Sequence, residues 1–272
     1  MPESIFRSQD GLLIASEHAR GPWDANALHG GAPAALIASA FERMPSQNDL
    51  RVARLGFELL RPIPFEPLTL STRVVREGRR VQELAAELRA GELLICRASA
   101  LRVREVPAGL PCSAPEESAP PAAAGLGEAA MRGPEDATPL PFALNDDEPS
   151  ASFATSAMQM RWIDDPRQLG PARVWMRLAR PLLDGKRATP LASMAATADF
   201  GNGASATLPF ERFVFINADL SIHLHRQPRG EWTGLDARTL LTPGGTGLAE
   251  CVLHDQQGPI GRSFQTLVVE AR

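Results

Sequence analysis

The stretch from Asn217 to Arg272 restates the plan of an earlier stretch, and this duplication restricts the possible folds more than any other feature of the chain. Setting Leu60-Arg61-Pro62 against His225-Arg226-Gln227 fixes an offset of 165 residues. The same offset carries Arg97-Ala98-Ser99-Ala100-Leu101-Arg102-Val103 onto Arg262-Ser263-Phe264-Gln265-Thr266-Leu267-Val268 without a net gap. Apolar and polar residues alternate between these anchors in both copies, the period of strands with one buried face. A unit built twice is free to keep chemistry in one copy and lose it in the other, so a polar residue found in only one copy is a candidate for function. Gln265 is such a residue, since its counterpart is Ala100.

The first unit, taken as 1–106, opens with two short strands over Ile5–Glu17, turning at Gln9-Asp10-Gly11. His29-Gly30-Gly31-Ala32-Pro33 leads into a helix from Ala34 to Arg43, with Leu36, Ile37 and Phe41 at helical spacing and Pro33 at a first-turn position. The many alanines of this helix imply that it is gripped on several sides. Four strand segments follow, over Arg51–Leu60, Leu68–Glu77, Arg80–Arg89 and Leu93–Arg104. Residues 107–150, rich in Pro, Ala, Gly and acidic side chains, read as an extended linker strapped along the surface. The second unit, 151–272, repeats the order. Strands are expected over Phe153–Ile163 and Arg173–Leu178, then a helix from Leu191 to Asp199 stopped at Gly201-Asn202-Gly203. Strands over Val214–Leu224, Trp232–Leu241, Gly247–His254 and Pro259–Glu270 complete it. Strands, helix and meander, twice over, make an α+β chain and not the alternation of a parallel sheet.

Several functional classes are excluded on composition. The net charge of −4 comes with no basic cluster, so neither a nucleic acid nor an anionic membrane is expected as partner. Cys96, Cys112 and Cys251 are few, odd in number and without CxxC spacing, which fits a reducing compartment and argues against a disulfide framework or a zinc site. The chain opens on Met1-Pro2-Glu3-Ser4 with no signal-like segment, and no apolar run reaches the ~18 residues of a membrane span. A cytoplasmic protein without membrane insertion is the expectation. His223 and His225 share a strand face but lack a third ligand at suitable spacing, so no metal is expected. Gly244-Gly245-Thr246-Gly247 lacks the Lys and helix of a phosphate loop, and a hairpin explains it.

The order of elements, an Ala-rich helix wrapped by a long antiparallel sheet, resembles the hotdog fold. Two copies in one chain resemble the double-hotdog acyl-CoA thioesterases of the thioesterase II type. The resemblance spans nearly the whole chain and rests on His29-Gly30-Gly31, Ala198-Asp199-Phe200, the run from Asn217 to Arg226, and Gly261-Arg262-Ser263-Phe264-Gln265. It implies two fused hotdog units, each an antiparallel sheet around a central helix, acting on an acyl-CoA thioester with no cofactor. In that family a helix aspartate, a strand threonine or serine and a last-strand glutamine hold the attacking water. The aspartate falls on Asp199 and the glutamine on Gln265. The threonine position falls on Asn217, a departure, although an amide also accepts and donates hydrogen bonds.

Hydrolysis of a thioester needs a positioned water, a base, a polarised carbonyl and an apolar slot. Asp199 suits the base, while Asn217 and Gln265 would aim the water. Backbone N–H groups at the helix start His29-Gly30-Gly31 would polarise the carbonyl, because they point outward from the positive dipole end and glycine lets a substrate come close. No GxSxG turn or Cys/His arrangement calls for a covalent intermediate. Competing structural readings stay open: a solvated Asp199, an exposed Gln265, an Asn217 bonded to its own backbone, and His29 as a satisfied interior residue. Arg226 and its repeat counterpart Arg61 fit either a salt bridge or contact with coenzyme A phosphates. A homodimer through the solvent face of the sheets, with Trp162, Trp175 and Trp232 nearby in sequence, is a further expectation. An enoyl-CoA hydratase is disfavoured because no histidine lies near Asp199 in sequence. A non-catalytic acyl-CoA or lipid-binding protein is the alternative function.

Overall fold

The computed structural model describes residues 3–46, 49–106, 131–140 and 151–272. Cys112 and the linker stretches 107–130 and 141–150 lie outside the described residues. Strands β1 (Phe6–Gln9) and β2 (Leu12–Ala15) pair around Asp10 and Gly11, both at positive φ, where glycine avoids the steric cost of a Cβ. The two-residue β3 (Ala27–Leu28) leads into helix α1 (Gly31–Arg43). The meander is β4 (Leu50–Leu59), the short β5 (Ile63–Pro64), β6 (Leu68–Arg76), β7 (Val81–Ala90) and β8 (Leu93–Arg104). The second unit holds β9 (Thr138–Pro139), β10 (Met158–Trp162), β11 (Ala172–Leu178), α2 (Pro190–Ala198) and α3 (Gly201–Ala204). It closes with β12 (Phe213–Asn217), β13 (Asp219–Leu224), β14 (Thr233–Leu241), β15 (Thr246–Asp255) and β16 (Gly258–Ala271).

The repeat is literal in the strands: β6 and β7 recur as β14 and β15, with both ends displaced by 165 residues. Among the described residues, fourteen strands form one sheet in the order β1-β2-β6-β7-β8-β4-β13-β16-β15-β14-β11-β10-β9, with β12 also paired to β16. The units fuse where β4 and β13 pair antiparallel, Leu220 opposite Phe57 and Ile222 opposite Leu55. Alternation sets the inner face. In β16, Ser263, Gln265 and Leu267 are buried while Arg262, Thr266 and Val268 are exposed. Helices α1 and α2 pack against each other inside the curved sheet. Burial of Leu36, Ile37 and Phe41 contributes about 2 kcal/mol each. Small residues are needed at this crossing, since a Cβ on Gly31 would lie 2.7 Å from the carbonyl oxygen of Ala196.

Four local expectations are corrected. Phe153–Ala157 is a π-helical turn, not the start of a strand, because Ser152 and Thr155 cap each other's backbone N–H groups and hold the chain helical. Gly201-Asn202-Gly203 does not stop the helix; it carries the further turn α3, leaving Asp199 and Phe200 at the break between two helical pieces. The single strand expected over Val214–Leu224 is broken at Ala218, where the Asp219 carboxylate accepts the Thr266 N–H at 2.6 Å. Finally, Trp162 and Trp175 are buried and Trp232 is half-buried, so the first two do not lie on a solvent face. Part of the strap packs here, as the Trp175 indole donates to the carbonyl of Arg132 at 2.6 Å and β9 pairs with β10.

Candidate active site

The break between α2 and α3 puts Asp199 where the two units meet. Its side chain is only 5% exposed, and every polar neighbour reaches it from a different element. From β12, the Asn217 amide donates to Oδ1 at 2.9 Å. From β16, Gln265 donates to the Asp199 carbonyl at 3.1 Å and lies 3.5 Å from Oδ1. The Gln265 amide is oriented unambiguously, because its oxygen accepts the buried N–H of Asn202 at 2.9 Å, leaving the NH₂ to face Asp199. Gly201 makes this approach possible: a Cβ there would sit 2.8 Å from both the Gln265 amide oxygen and the sulfur of Cys251. Asn217 also donates to the Asp219 carbonyl at 3.3 Å, so its NH₂ is spent and its carbonyl oxygen is left to accept from a water.

The first unit closes the other side. His29 Nδ1 lies 3.0 Å from Asp199 Oδ2, and a Cβ on Gly30 would fall 2.8 Å from the same oxygen. The imidazole packs against the rings of Phe200 and Phe153, with centroids at 4.4 and 5.0 Å, and those two rings also pack on each other at 5.9 Å. At the start of α1, the Gly31 N–H donates to His29 Nδ1 at 3.0 Å and the Ala32 N–H to the His29 carbonyl at 3.1 Å. Gly30 alone of the His29-Gly30-Gly31 segment thus offers a backbone N–H with no acceptor among the described residues.

These groups open onto a cavity of about 480 Å³, whose lining includes His29, Gly30, Asp199 and Asn217. Its remaining wall is largely apolar, with Pro22, Leu28, Ile63, Val214 and Ile216 beside Trp23, which packs on Phe210 and Phe215 at 4.7 and 5.0 Å. That volume and lining fit a small-molecule site. A larger groove of about 780 Å³ lies elsewhere, on the outer face of the sheet around Arg54, Ser99 and His223. Its lining mixes polar and apolar groups and contains none of the residues gathered at Asp199.

Sequence reasoning places Asp199, Asn217, Gln265, His29, Gly30 and Gly31 in one neighbourhood, and the structure brings all six together. Arg226 is not among them. Its guanidinium is spent on the buried Asp255 carboxylate at 2.6 Å and on the Gly258 and Pro259 carbonyls, so it is a structural clamp outside the cavity. Arg61 does line the cavity. The premise that no histidine lies near Asp199 is also corrected: His29, remote in sequence, touches it across the junction. Asn202, Phe153 and Phe200 were missed, and only the tertiary packing reveals them.

The opposite half of the repeat has lost this chemistry. The strand offset puts Val52 opposite Asn217 and Ala100 opposite Gln265, and alignment of the helix starts puts Ala40 opposite Asp199. In their place the buried Arg102 donates to the Phe41 and Met44 carbonyls and to Gln82, capping the end of α1.

Solved structures align over nearly the whole chain. A hotdog-fold protein of unknown function from Alicyclobacillus acidocaldarius superposes with a TM-score of 0.69 at 17% identity, covering 97% of this chain and 95% of that one. An acyl-CoA thioesterase II from Mycobacterium marinum gives 0.61 at 17% identity, covering 94% and 96%. The architecture is therefore a double hotdog. Sequence profiles of the acyl-CoA thioesterase N-terminal and C-terminal domains match residues 19–103 and 134–269. This chain belongs to the acyl-CoA thioesterase family. A search among curated proteins finds no significant match.

Proposed function

We propose that this protein hydrolyses acyl-CoA thioesters by direct attack of a water held by Asp199 and Asn217, with Gln265 fixing Asp199 in place. The observation that carries this reading is the Asp199 carboxylate, reached at 2.9 Å by Asn217 and at 3.5 Å by Gln265 on the wall of an apolar cavity. Asp199 takes the water's proton as the oxygen attacks, and the Gly30 N–H stabilises the oxyanion at the positive end of α1. The apolar wall takes the acyl chain. Arg61, at the cavity edge, takes the place expected of Arg226 in meeting the phosphates of coenzyme A. No covalent intermediate is needed. Burial pushes the thiols of Cys96 and Cys251 up to about 12, so neither serves as a nucleophile, and their free state suits a cytoplasmic setting. No helix among the described residues is long and apolar enough to cross a membrane.

Thiol release from a panel of short, long, branched and aromatic acyl-CoAs tests this reading. Turnover that Asp199→Ala abolishes supports it, whereas unchanged turnover in that variant refutes the site. Tight acyl-CoA binding without thiol release would favour a binding protein instead. The Asp199–His29 contact supports a second reading, addition of water across a 2-enoyl thioester, because an acid and a base are then already paired. Loss of the conjugated enoyl absorbance without thiol release would select it.

A further inference from the structure

Two claims meet on one nitrogen. His29 Nδ1 accepts the Gly31 N–H at 3.0 Å, yet the Oδ2 of Asp199 lies 3.0 Å from the same atom. Accepting the Gly31 bond requires a lone pair on Nδ1, which places the proton of a neutral imidazole on Nε2. A lone pair and a carboxylate oxygen at that distance attract each other only when a proton lies between them. Nε2 has no partner among the described residues and is not sealed from solvent, and His29 lines the cavity. The clustered rings of Phe153 and Phe200 hold the imidazole in place with Nδ1 toward Asp199.

We infer that His29 is a catalytic proton carrier, passing the proton that Asp199 removes from water on to the departing thiolate. This rests on the hydrolase reading above. As the water oxygen bonds to the thioester carbon, its O–H bond breaks and the proton goes to Asp199 Oδ2. From there it crosses to His29 Nδ1. The carbon–sulfur bond breaks with its electron pair on sulfur, and the Nε2 proton moves to that sulfur. The products are a carboxylic acid and a free thiol. The ring then takes a proton from solvent at Nε2 and releases one through Asp199, restoring the first tautomer. The pair thereby couples proton removal at one end of the scissile bond to proton delivery at the other. It gives a reason for a titratable ring at the unit junction, where a purely structural residue needs no second ring nitrogen.

Leaving-group dependence separates this role from packing. An alkyl thiolate such as that of coenzyme A is a strong base and gains from protonation, whereas an aryl thiolate leaves unaided. Two variants, His29→Asn and His29→Gln, are each assayed with an acyl-CoA and with an aryl thioester of the same acyl group. A lost general acid should cost the acyl-CoA reaction roughly 100-fold, while the aryl thioester loses less than about fivefold. The ratio of the two rates does not depend on how much enzyme is folded. Equal losses on both substrates, or no loss on either, would overturn the role of His29. Asp199→Asn, assayed beside them, tests the parent reading: it should abolish both reactions, and activity retained there would count against the site and not against His29 alone.

Discussion

Replacing Gln265 by Glu alters one NH₂ to an oxygen and leaves the shape intact. One carboxylate oxygen still accepts the Asn202 N–H, as the Gln265 amide oxygen does at 2.9 Å. The other then faces Asp199 Oδ1 at 3.5 Å and the Asp199 carbonyl at 3.1 Å, where a donor stood before. Two unit charges at 3.5 Å repel by about 5 kcal/mol at an effective dielectric of about 20, comparable to the whole stability of many domains. The folded variant avoids most of this by holding one proton between the two carboxylates, whereas the unfolded chain releases it near pH 4.3. The added group therefore has a raised folded affinity for protons, and the unfolded state binds fewer protons than the native one above that pH. The deficit relative to the parent accordingly grows as pH rises and closes on acidification. Melting followed by circular dichroism should show the variant roughly 10 °C below the parent at pH 8, with the gap closing toward pH 4.5. Thiol release at pH 7.5 should fall about 100-fold. A variant melting with the parent at pH 8, or displaced by the same amount at every pH, would refute the geometry argued for Gln265.

Other outcomes follow from the same coordinates. Burial pushes the His254 imidazole down to about 4, with its Nε2 buried and unpartnered, so the native state refuses a proton that the unfolded chain accepts below about pH 6.5. Stability should drop by about 2 kcal/mol between pH 6.5 and 5 through this ring, and urea titrations of His254→Leu should lack that component. Arg226→Ala strands the buried Asp255 carboxylate and should cost about 3 kcal/mol while leaving KM within twofold; a rise in KM at unchanged stability would return Arg226 to the substrate site. Gly31→Ala drives a methyl against Ala196 and Phe153 at the helix crossing, costing about 2 kcal/mol by thermal melting, with lower turnover as His29 shifts from Asp199.

The register of β6, β7 and β8 with their later copies was legible because strands write their buried face at every second residue, and a fixed offset preserves that period. Gln265 could be singled out for a related reason, since it replaces an alanine of the other unit, whereas Asp199 was picked out by the family resemblance. The broken strand at Ala218 and the π-helical turn at Phe153 were not legible, since a side chain standing in for a ladder or helix partner leaves no periodic trace.

The chain by itself determined two copies of a helix wrapped by an antiparallel meander, and which copy keeps polar residues, because patterning and composition are local properties. Only the tertiary structure decided that His29 of the first unit meets Asp199 of the second, that Asn202 aims Gln265, and that Arg226 serves Asp255 instead of a ligand. Those outcomes depend on distances between atoms 29 to 170 residues apart along the chain, set when β4 pairs with β13 and the helices cross. Sequence spacing carries no measure of such separations, and packing alone fixes them.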